Sequence, residues 1–428
     1  MKILFIAPGW DKGRLWGELA FKFPTLSLAA LAAVTPPEWE VTLLDDNFEK
    51  IDYSCDADIV ALTAMTPQAP RAYRIADEFR RCGKTVVMGG FHASNLPDEA
   101  LTHVDAVVVG EGELVWPQLL LDFKQKKLQP RYQSFEQMPM DVIPPARREI
   151  FKGKRYLLSN TIQTTRGCPF DCEFCSVTAF YGRKYRKRPI DAILEELVQL
   201  RKSNSFIFFV DDNLVADRKY ALELFAGMKG MDFKWLSHSP IDFAADSELM
   251  KAAGESGCYG MFVGFESLNQ EALTAMGKVT NLASSYRDYA RSFHDNGIGI
   301  LGSFVLGYDG DTPAIFEPLL RFCEDARLES AIFPLLTPYP GTAVRQRLEA
   351  EGRIISNNWQ DYDMEHVNFR PIGMTVEQLQ EGYDWLNNSF YSLPSMYRRL
   401  FKLHRSLQVF APMNFGFRAA LRRKHAAR

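Results

Sequence analysis

No stretch of the chain approaches the roughly 18 uninterrupted apolar residues of a membrane-spanning helix, which argues against an integral membrane protein. A surplus of positive charge is missing as well. The net charge is -3, so the chain as a whole offers no field that would draw in phosphates, and a nucleic-acid partner is not expected. Nor is there a disulfide framework. Seven cysteines are an odd number; Cys55, Cys82, Cys258 and Cys323 are scattered, and the other three fall between positions 168 and 175. The opening run Met1 to Gly9 stops being apolar too early for a secretory signal and lacks a small-residue cleavage site, so it reads as a first buried strand. A cytoplasmic location is expected, with no internal repeat and no low-complexity tract.

What is present is ordinary globular material, 46% hydrophobic and 24% charged over 428 residues, enough for two or three domains with real cores. Over the first 120 or so residues, β-branched runs at Ile3 to Ala7, Val41 to Leu44, Ile59 to Thr63, Thr85 to Met88 and Ala106 to Val109 alternate with helical patterns such as Pro70 to Cys82. This is the signature of a doubly wound parallel α/β sheet. Prolines 130, 139, 144 and 145 then mark an irregular linker. A second series follows: Thr161 to Thr164, Phe206 to Val210, Lys234 to His238, Tyr259 to Gly264, Ile298 to Leu306 and Ala331 to Leu336 predict six strands with crossovers, a partial (β/α)6 barrel. Beyond Pro340-Gly341 the pattern turns helical, with a capped start at Thr375-Val376-Glu377-Gln378. The expected division is 1–125, a Rossmann-like domain; 126–158, the linker; 159–340, the barrel; and 341–428, a helical region with a basic tail.

The sharpest chemical signal is Arg166-Gly167-Cys168-Pro169-Phe170-Asp171-Cys172-Glu173-Phe174-Cys175, three cysteines in CxxxCxxC spacing directly after a predicted strand. Three thiolates on one short loop suit three corners of a cubane, with the fourth iron left open. A zinc site or unrelated buried cysteines are the alternatives; zinc usually closes a tetrahedron, and no fourth His or Cys lies nearby. The motif resembles that of the radical S-adenosylmethionine superfamily, CxxxCxΦC with an aromatic before the last cysteine, here Phe174. The resemblance implies that Cys168, Cys172 and Cys175 hold a [4Fe-4S] cluster. In that family the open iron chelates S-adenosylmethionine, and one electron from the cluster, delivered by a reductant such as flavodoxin or ferredoxin, cleaves it to a 5′-deoxyadenosyl radical.

The same resemblance assigns cosubstrate contacts downstream. Phe208-Phe209-Val210-Asp211-Asp212-Asn213 ends the second barrel strand, and Asp211 is expected to accept hydrogen bonds from the methionine ammonium; either aspartate also reads as the cap of the next helix. Ser239, after Ser237-His238, matches the ribose-contacting strand. Gly264 and Glu266 match the glycine-containing strand of the family, and His238 is assigned to the barrel interior.

Ahead of the barrel, Ala61-Leu62-Thr63-Ala64-Met65, Met88-Gly89-Gly90-Phe91-His92 and Val109-Gly110-Glu111-Gly112-Glu113 resemble the cobalamin-binding domains that precede the barrel in one class of the superfamily. Gly89 and Gly90 would admit the nucleotide tail of cobalamin at the carboxyl edge of the sheet, and Thr63 would hydrogen-bond it. The DxHxxG motif of many cobalamin proteins is absent, so cobalamin is expected to lack a histidine ligand; a bare turn in a domain that binds nothing is the alternative. Leu335-Leu336-Thr337-Pro338-Tyr339-Pro340-Gly341-Thr342 extends the resemblance almost to the end.

The implied activity is cobalamin-dependent C-methylation of an unactivated carbon. The same cofactors also serve radical ring formation or rearrangement, and a non-catalytic metal module is the reading from outside enzymology. From Ser395 onward there are nine Lys or Arg and no acidic residue, interleaved with Leu400, Phe401, Leu403, Leu407, Val409 and Phe410. Such a tail is expected either on an anionic membrane surface, which suits a lipid or isoprenoid substrate, or as a solvated helix.

Overall fold

The structure is a computed structural model that describes residues 1–19, 22–134, 136–156, 160–201, 205–401 and 406–427. Among the described residues no helix is long and apolar enough to cross a membrane.

Six parallel strands form the first sheet: β1 (Lys2–Ala7), β2 (Glu40–Asp45), β3 (Ile59–Thr63), β4 (Thr85–Gly89), β5 (Ala106–Val109) and β6 (Arg131–Gln133), in the order β2-β1-β3-β4-β5-β6. Buried on both faces, β3 and β5 read as continuous apolar runs. The helix Ala69–Arg81 covers one face with Ala72, Ile75, Ala76 and Phe79 at helical spacing. Phe5, Ile59, Trp116 and Leu119 build the core on the other face. Strand order reverses between β1 and β3, so their carboxyl ends open a crevice. β6 comes from the segment read above as irregular. Only Tyr132 of its three residues is buried, too short a pattern to announce a strand.

The second sheet is also parallel throughout, in the order β14-β13-β12-β11-β10-β7. It comprises β7 (Thr161–Ile162), β10 (Phe206–Phe209), β11 (Lys234–Pro240), β12 (Cys258–Glu266), β13 (Gly299–Phe304) and β14 (Ser330–Ile332). Between β7 and β10 a small antiparallel ribbon, β8 (Thr165–Arg166) with β9 (Arg186–Lys187), brackets the three cysteines. Both fold classes expected from the sequence are therefore present, and one of the crossovers between the barrel strands is the helix Ile190–Arg201. Thr375 and Gln378 exchange the two hydrogen bonds of a capping box at the start of Val376–Phe390.

The floor of the barrel is closed by the helix Leu407–Ala427. Phe410 is 1% exposed and lies over Gly260 and Gly299 at the starts of β12 and β13, where an added Cβ would stand 2.7 and 2.5 Å from its ring. Asn414 donates to the Glu329 carbonyl oxygen at 2.8 Å, just before β14. Several cations of the basic tail also turn inward. Arg399 donates to the carbonyl oxygens of Leu328, Glu329 and Phe390, and Lys424 pairs with Glu365 at 2.6 Å, both side chains buried. Lys402, Leu403, Arg405 and Arg428 lie outside the described residues.

Candidate active site

The cysteine loop leaves the β8–β9 ribbon and runs into the short helix Ser176–Tyr181. Cys172 is buried, Cys168 and Cys175 half-buried, and the Cys175 amide donates to the Cys172 carbonyl oxygen at 3.0 Å. Burial pushes the Cys172 thiol up to about 11, opposed by the nearby Lys278 ammonium. Among the described residues no group of three His, Cys, Asp or Glu side chains is drawn in tightly enough to hold a single metal ion. The three sulfurs on the loop are a donor set that fits a cubane with one open iron, and its two carboxylates are engaged elsewhere, Asp171 with Arg183 and Glu173 with Arg347.

Three consecutive side chains after β10 hold this loop. The Asp211 Oδ1 accepts from the amide of Thr164 at 2.9 Å, from the hydroxyls of Thr164 and Thr165 at 2.8 and 2.6 Å, and from the amide of Thr165. Burial raises the Asp211 carboxyl to about 6, against the lowering effect of those donors. Asp212 accepts from the Gly167 amide at 3.0 Å, and the Asn213 amide nitrogen stands 3.7 Å from the Cys168 sulfur. The run Asp211-Asp212-Asn213 thus fixes the strand end, the glycine and the first cysteine in turn, a role that its position in sequence did not announce.

The same strand ends carry unpaired acceptors. Asp211 Oδ2, Asn213 Oδ1 and Asp242 Oδ1 are buried without a hydrogen-bond partner, at the carboxyl ends of β10 and β11. A buried carboxylate oxygen left unpaired is costly, so this edge fits a ligand with ammonium and hydroxyl donors, such as S-adenosylmethionine. Asp242 and Lys278 carry no motif signal. Lys278 pairs with Glu266 at 2.7 Å and lies 5.8 Å from the Phe174 ring centroid, so Glu266 and Phe174 come together beside the cysteines through a lysine that sequence reasoning missed. Glu266 takes a left-handed backbone, φ 66°, and folds over Gly264, where a Cβ would meet its Oε1 at 2.4 Å. Ser239 is placed differently from the others. Along β11, Trp235, Ser237 and Ser239 alternate with His238; Trp235 stacks on Phe225 of the helix Arg218–Met228, so Ser239 shares the helix-facing side and its hydroxyl is buried without a partner. His238 faces the barrel interior against Phe208 and Phe262.

At the carboxyl edge of the first sheet, Thr63, Gly89, Gly90, Gly110 and Gly112 line a cavity of about 570 Å³. Gly90 has φ 93°, and a Cβ there would stand 2.4 Å from the Thr63 hydroxyl oxygen; only glycine keeps this turn. The opposite wall comes from the barrel and the cysteine loop, with Gln163, Arg166, Ser176, Val177 and Asp212. A backbone-walled crevice fits the tail of a cobalamin. His92 does not face it: the ring is fully buried and its Nε2 is 3.1 Å from Glu99.

Comparison with known proteins agrees in both halves. Residues 162–323 match the Radical SAM superfamily, residues 15–120 the B12 binding domain, and residues 342–421 a domain of unknown function, DUF4070. The chain is 33% identical over 410 residues to the bacteriochlorophyllide d C-12(1)-methyltransferase of Chlorobaculum tepidum, covering 93% of this chain and 89% of that protein. It is 28% identical to the hopanoid C-2 methylase of Rhodopseudomonas palustris over 82% of this chain and 69% of that one. The radical S-adenosylmethionine methyltransferase TsrM from Kitasatospora setae, solved with cobalamin and a [4Fe-4S] cluster bound, has the same fold, with a TM-score of 0.68 at 14% identity over 100% of this chain and 99% of that chain.

Proposed function

Because the chain belongs to the radical S-adenosylmethionine enzymes that carry a B12-binding domain, we propose that it C-methylates an unactivated carbon of a large, ring-fused, mostly apolar molecule. It is a cobalamin-dependent methyltransferase of that family. When bound, the cluster supplies the electron that cleaves S-adenosylmethionine to a 5′-deoxyadenosyl radical, and cobalamin carries the methyl group. In this reading Cys168, Cys172 and Cys175 hold the cluster. Asp211, with Asn213 and Asp242, receives the polar end of S-adenosylmethionine, while Gly264 and Glu266 border it and Phe174 packs at the loop. Thr63, Gly89 and Gly90 hold the cobalamin tail. Residues 1–125, 126–158, 159–340 and 341–428 act as cofactor domain, linker, barrel and helical closure.

The observation that carries the reading is one shared cavity walled on one side by Thr63, Gly89 and Gly90 and on the other by Gln163, Arg166 and Asp212. Cobalamin seated there would face the cysteine-loop side of the barrel, so that methyl group and radical can address one substrate carbon, as methyl transfer to a radical carbon requires. Relatives named for a bacteriochlorophyllide and for a hopanoid support a rigid apolar substrate. Peripheral membrane contact is supported by an exposed stripe on the helix Leu393–Leu400 and its cap: Leu393, Tyr397 and Phe401 are 53, 63 and 70% exposed, one helical turn apart on an acid-free segment.

Reconstituted enzyme incubated anaerobically with pigment and lipid extracts and trideuteromethyl S-adenosylmethionine tests the proposal. The expected product carries one labelled methyl group, found by mass spectrometry. Formation of 5′-deoxyadenosine with a substrate altered in mass but free of label would replace methylation by ring formation or rearrangement.

A further inference from the structure

The motif Val109-Gly110-Glu111-Gly112-Glu113 was read as part of the cobalamin resemblance, yet its two carboxylates point across to the barrel. Glu113 pairs with Arg166 at 2.5 Å, and Arg166 lies 3.4 Å from Glu111. Glu111 also pairs with Arg186, which stands opposite Arg166 in the β8–β9 ribbon. The side chains of Arg166, Glu111, Glu113 and Arg186 are only 7, 8, 10 and 16% exposed. Directed hydrogen bonds fill several of the remaining positions, while the Arg186 Nε is buried without a partner. The Arg166 Nε donates to Gln163 at 2.9 Å, the Met138 amide donates to Glu111 at 2.8 Å, and the Arg186 guanidinium donates to the Met138 carbonyl oxygen at 2.8 Å.

Four alternating charges removed from water bring little net stability, because desolvation offsets their attraction; what such a chain supplies best is one defined geometry. Its position says what that geometry governs. On one side it is anchored to the end of β5, at the edge that walls the cavity. On the other it holds the residue two before Cys168, whose intervening Gly167 is tied to Asp212. A planar guanidinium bridging Gln163, Glu111 and Glu113 fixes direction as well as distance, which an ammonium does not.

We propose that Arg166 is a positioning residue, and that the chain Glu113, Arg166, Glu111, Arg186 sets the place of the cysteine loop relative to the ligand edge of the first sheet, so that methyl donor and radical address the same substrate carbon. The proposal rests on the methyltransferase reading only in requiring both cofactors.

The test compares the full-length wild type with Arg166→Met, Glu113→Gln and Arg166→Lys, each reconstituted with the cluster and hydroxocobalamin. Iron and cobalt content, the spin–spin interaction between reduced cluster and Co(II) cobalamin in electron paramagnetic resonance, and the ratio of 5′-deoxyadenosine to methylated product are measured. Wild-type metal content is expected throughout. The interaction should be single-valued in the wild type and spread over a range in Arg166→Met and Glu113→Gln, with Arg166→Lys between, and the ratio should rise about tenfold in the first two. A merely structural role would lower loading and both products together without changing the spectrum of the loaded fraction. An unchanged spectrum in both Arg166→Met and Glu113→Gln, no interaction in the wild type, or loss of metal from both variants would overturn the proposal. Failure of the wild type to methylate anything would sink the methyltransferase reading while leaving the spectroscopic comparison intact.

Discussion

A single carboxylate, Asp211, has two separable tasks. Its Oδ1 ties down Thr164 and Thr165, while Oδ2 is buried without a partner and, in the function proposed above, receives S-adenosylmethionine. Asp211→Asn keeps one carbonyl acceptor and loses the charge, so the variant should still load four irons but bind S-adenosylmethionine about tenfold more weakly, roughly the 1.4 kcal/mol of one charge-assisted hydrogen bond. Asp211→Ala should lose both properties. Iron analysis with equilibrium dialysis separates them, and an Asn variant that binds as tightly as wild type would remove Asp211 from the cosubstrate site. Asp311 shows the opposite logic. Burial raises its carboxyl to about 7, against lowering hydrogen bonds from the amides of Gly307 and Tyr308 and with a further raising effect from Asp309. A folded pKa above the unfolded value of about 3.9 means that the contribution to stability is complete below about pH 4 and is lost as pH rises through 7. Asp311→Asn should therefore gain thermal midpoint over wild type progressively between those limits, by about 2 °C or more at pH 8; parallel midpoints across that range would refute the assignment.

At the scale of elements, the helix Leu407–Ala427 covers the barrel floor, while the helix Leu393–Leu400 sends Arg399 inward and presents Leu393 and Tyr397 outward. Phe410→Ala empties the floor beneath β12 and β13 and should cost about 3–5 kcal/mol in denaturant unfolding. Phe415, 57% exposed on the same helix, should change stability by less than about 0.5 kcal/mol when replaced by Ala. The double change Tyr397→Ser and Phe401→Ser should halve, or nearly so, cosedimentation with anionic vesicles at low salt and leave melting unaltered; equal recovery of both proteins with the vesicles would exclude this stripe as the contact. These elements also mark how far the sequence was readable. Apart from β6, the strands of both sheets were legible because buried parallel strands are apolar runs, and the cysteine spacing was legible because three ligands share one loop. The inward turn of Phe410 was not: it depends on Gly260 and Gly299, distant in sequence, leaving room for a ring. Likewise Lys278, Asp242 and the Arg166 to Glu113 pair exist only through long-range packing, and the helix-facing side of Ser239 depends on which parity of β11 Trp235 selects.

Over the whole molecule the first domain is tied at several places besides the Arg166 chain, to the linker and to the C-terminal region that packs on the barrel. Tyr156 donates to Asp45 at 2.6 Å, Trp359 to Glu99 at 2.9 Å, and Arg14 pairs with Asp361 and Asp363. With that many ties, the cofactor domain is not expected to melt apart from the barrel. Differential scanning calorimetry should give one transition, and hydroxocobalamin at about a hundred times its dissociation constant should raise the whole transition by the equivalent of about 2.7 kcal/mol. Two transitions, of which only the lower shifts, would show that the ties do not couple the halves.

The helix over the barrel floor carries a consequence for biosynthesis. Gly260 and Gly299 are made long before Phe410, so a nascent chain has its barrel strands in hand with their lower end still uncovered and apolar. Vectorial folding from the amino end can assemble the first sheet and pair the strands. It cannot seal the barrel until Leu407–Ala427 emerges and docks by Asn414 and Phe410. Ribosome-bound chains ending between Ile332 and Ser406 should therefore be recognised by holdase chaperones, and released chains should lose that recognition once the helix is complete.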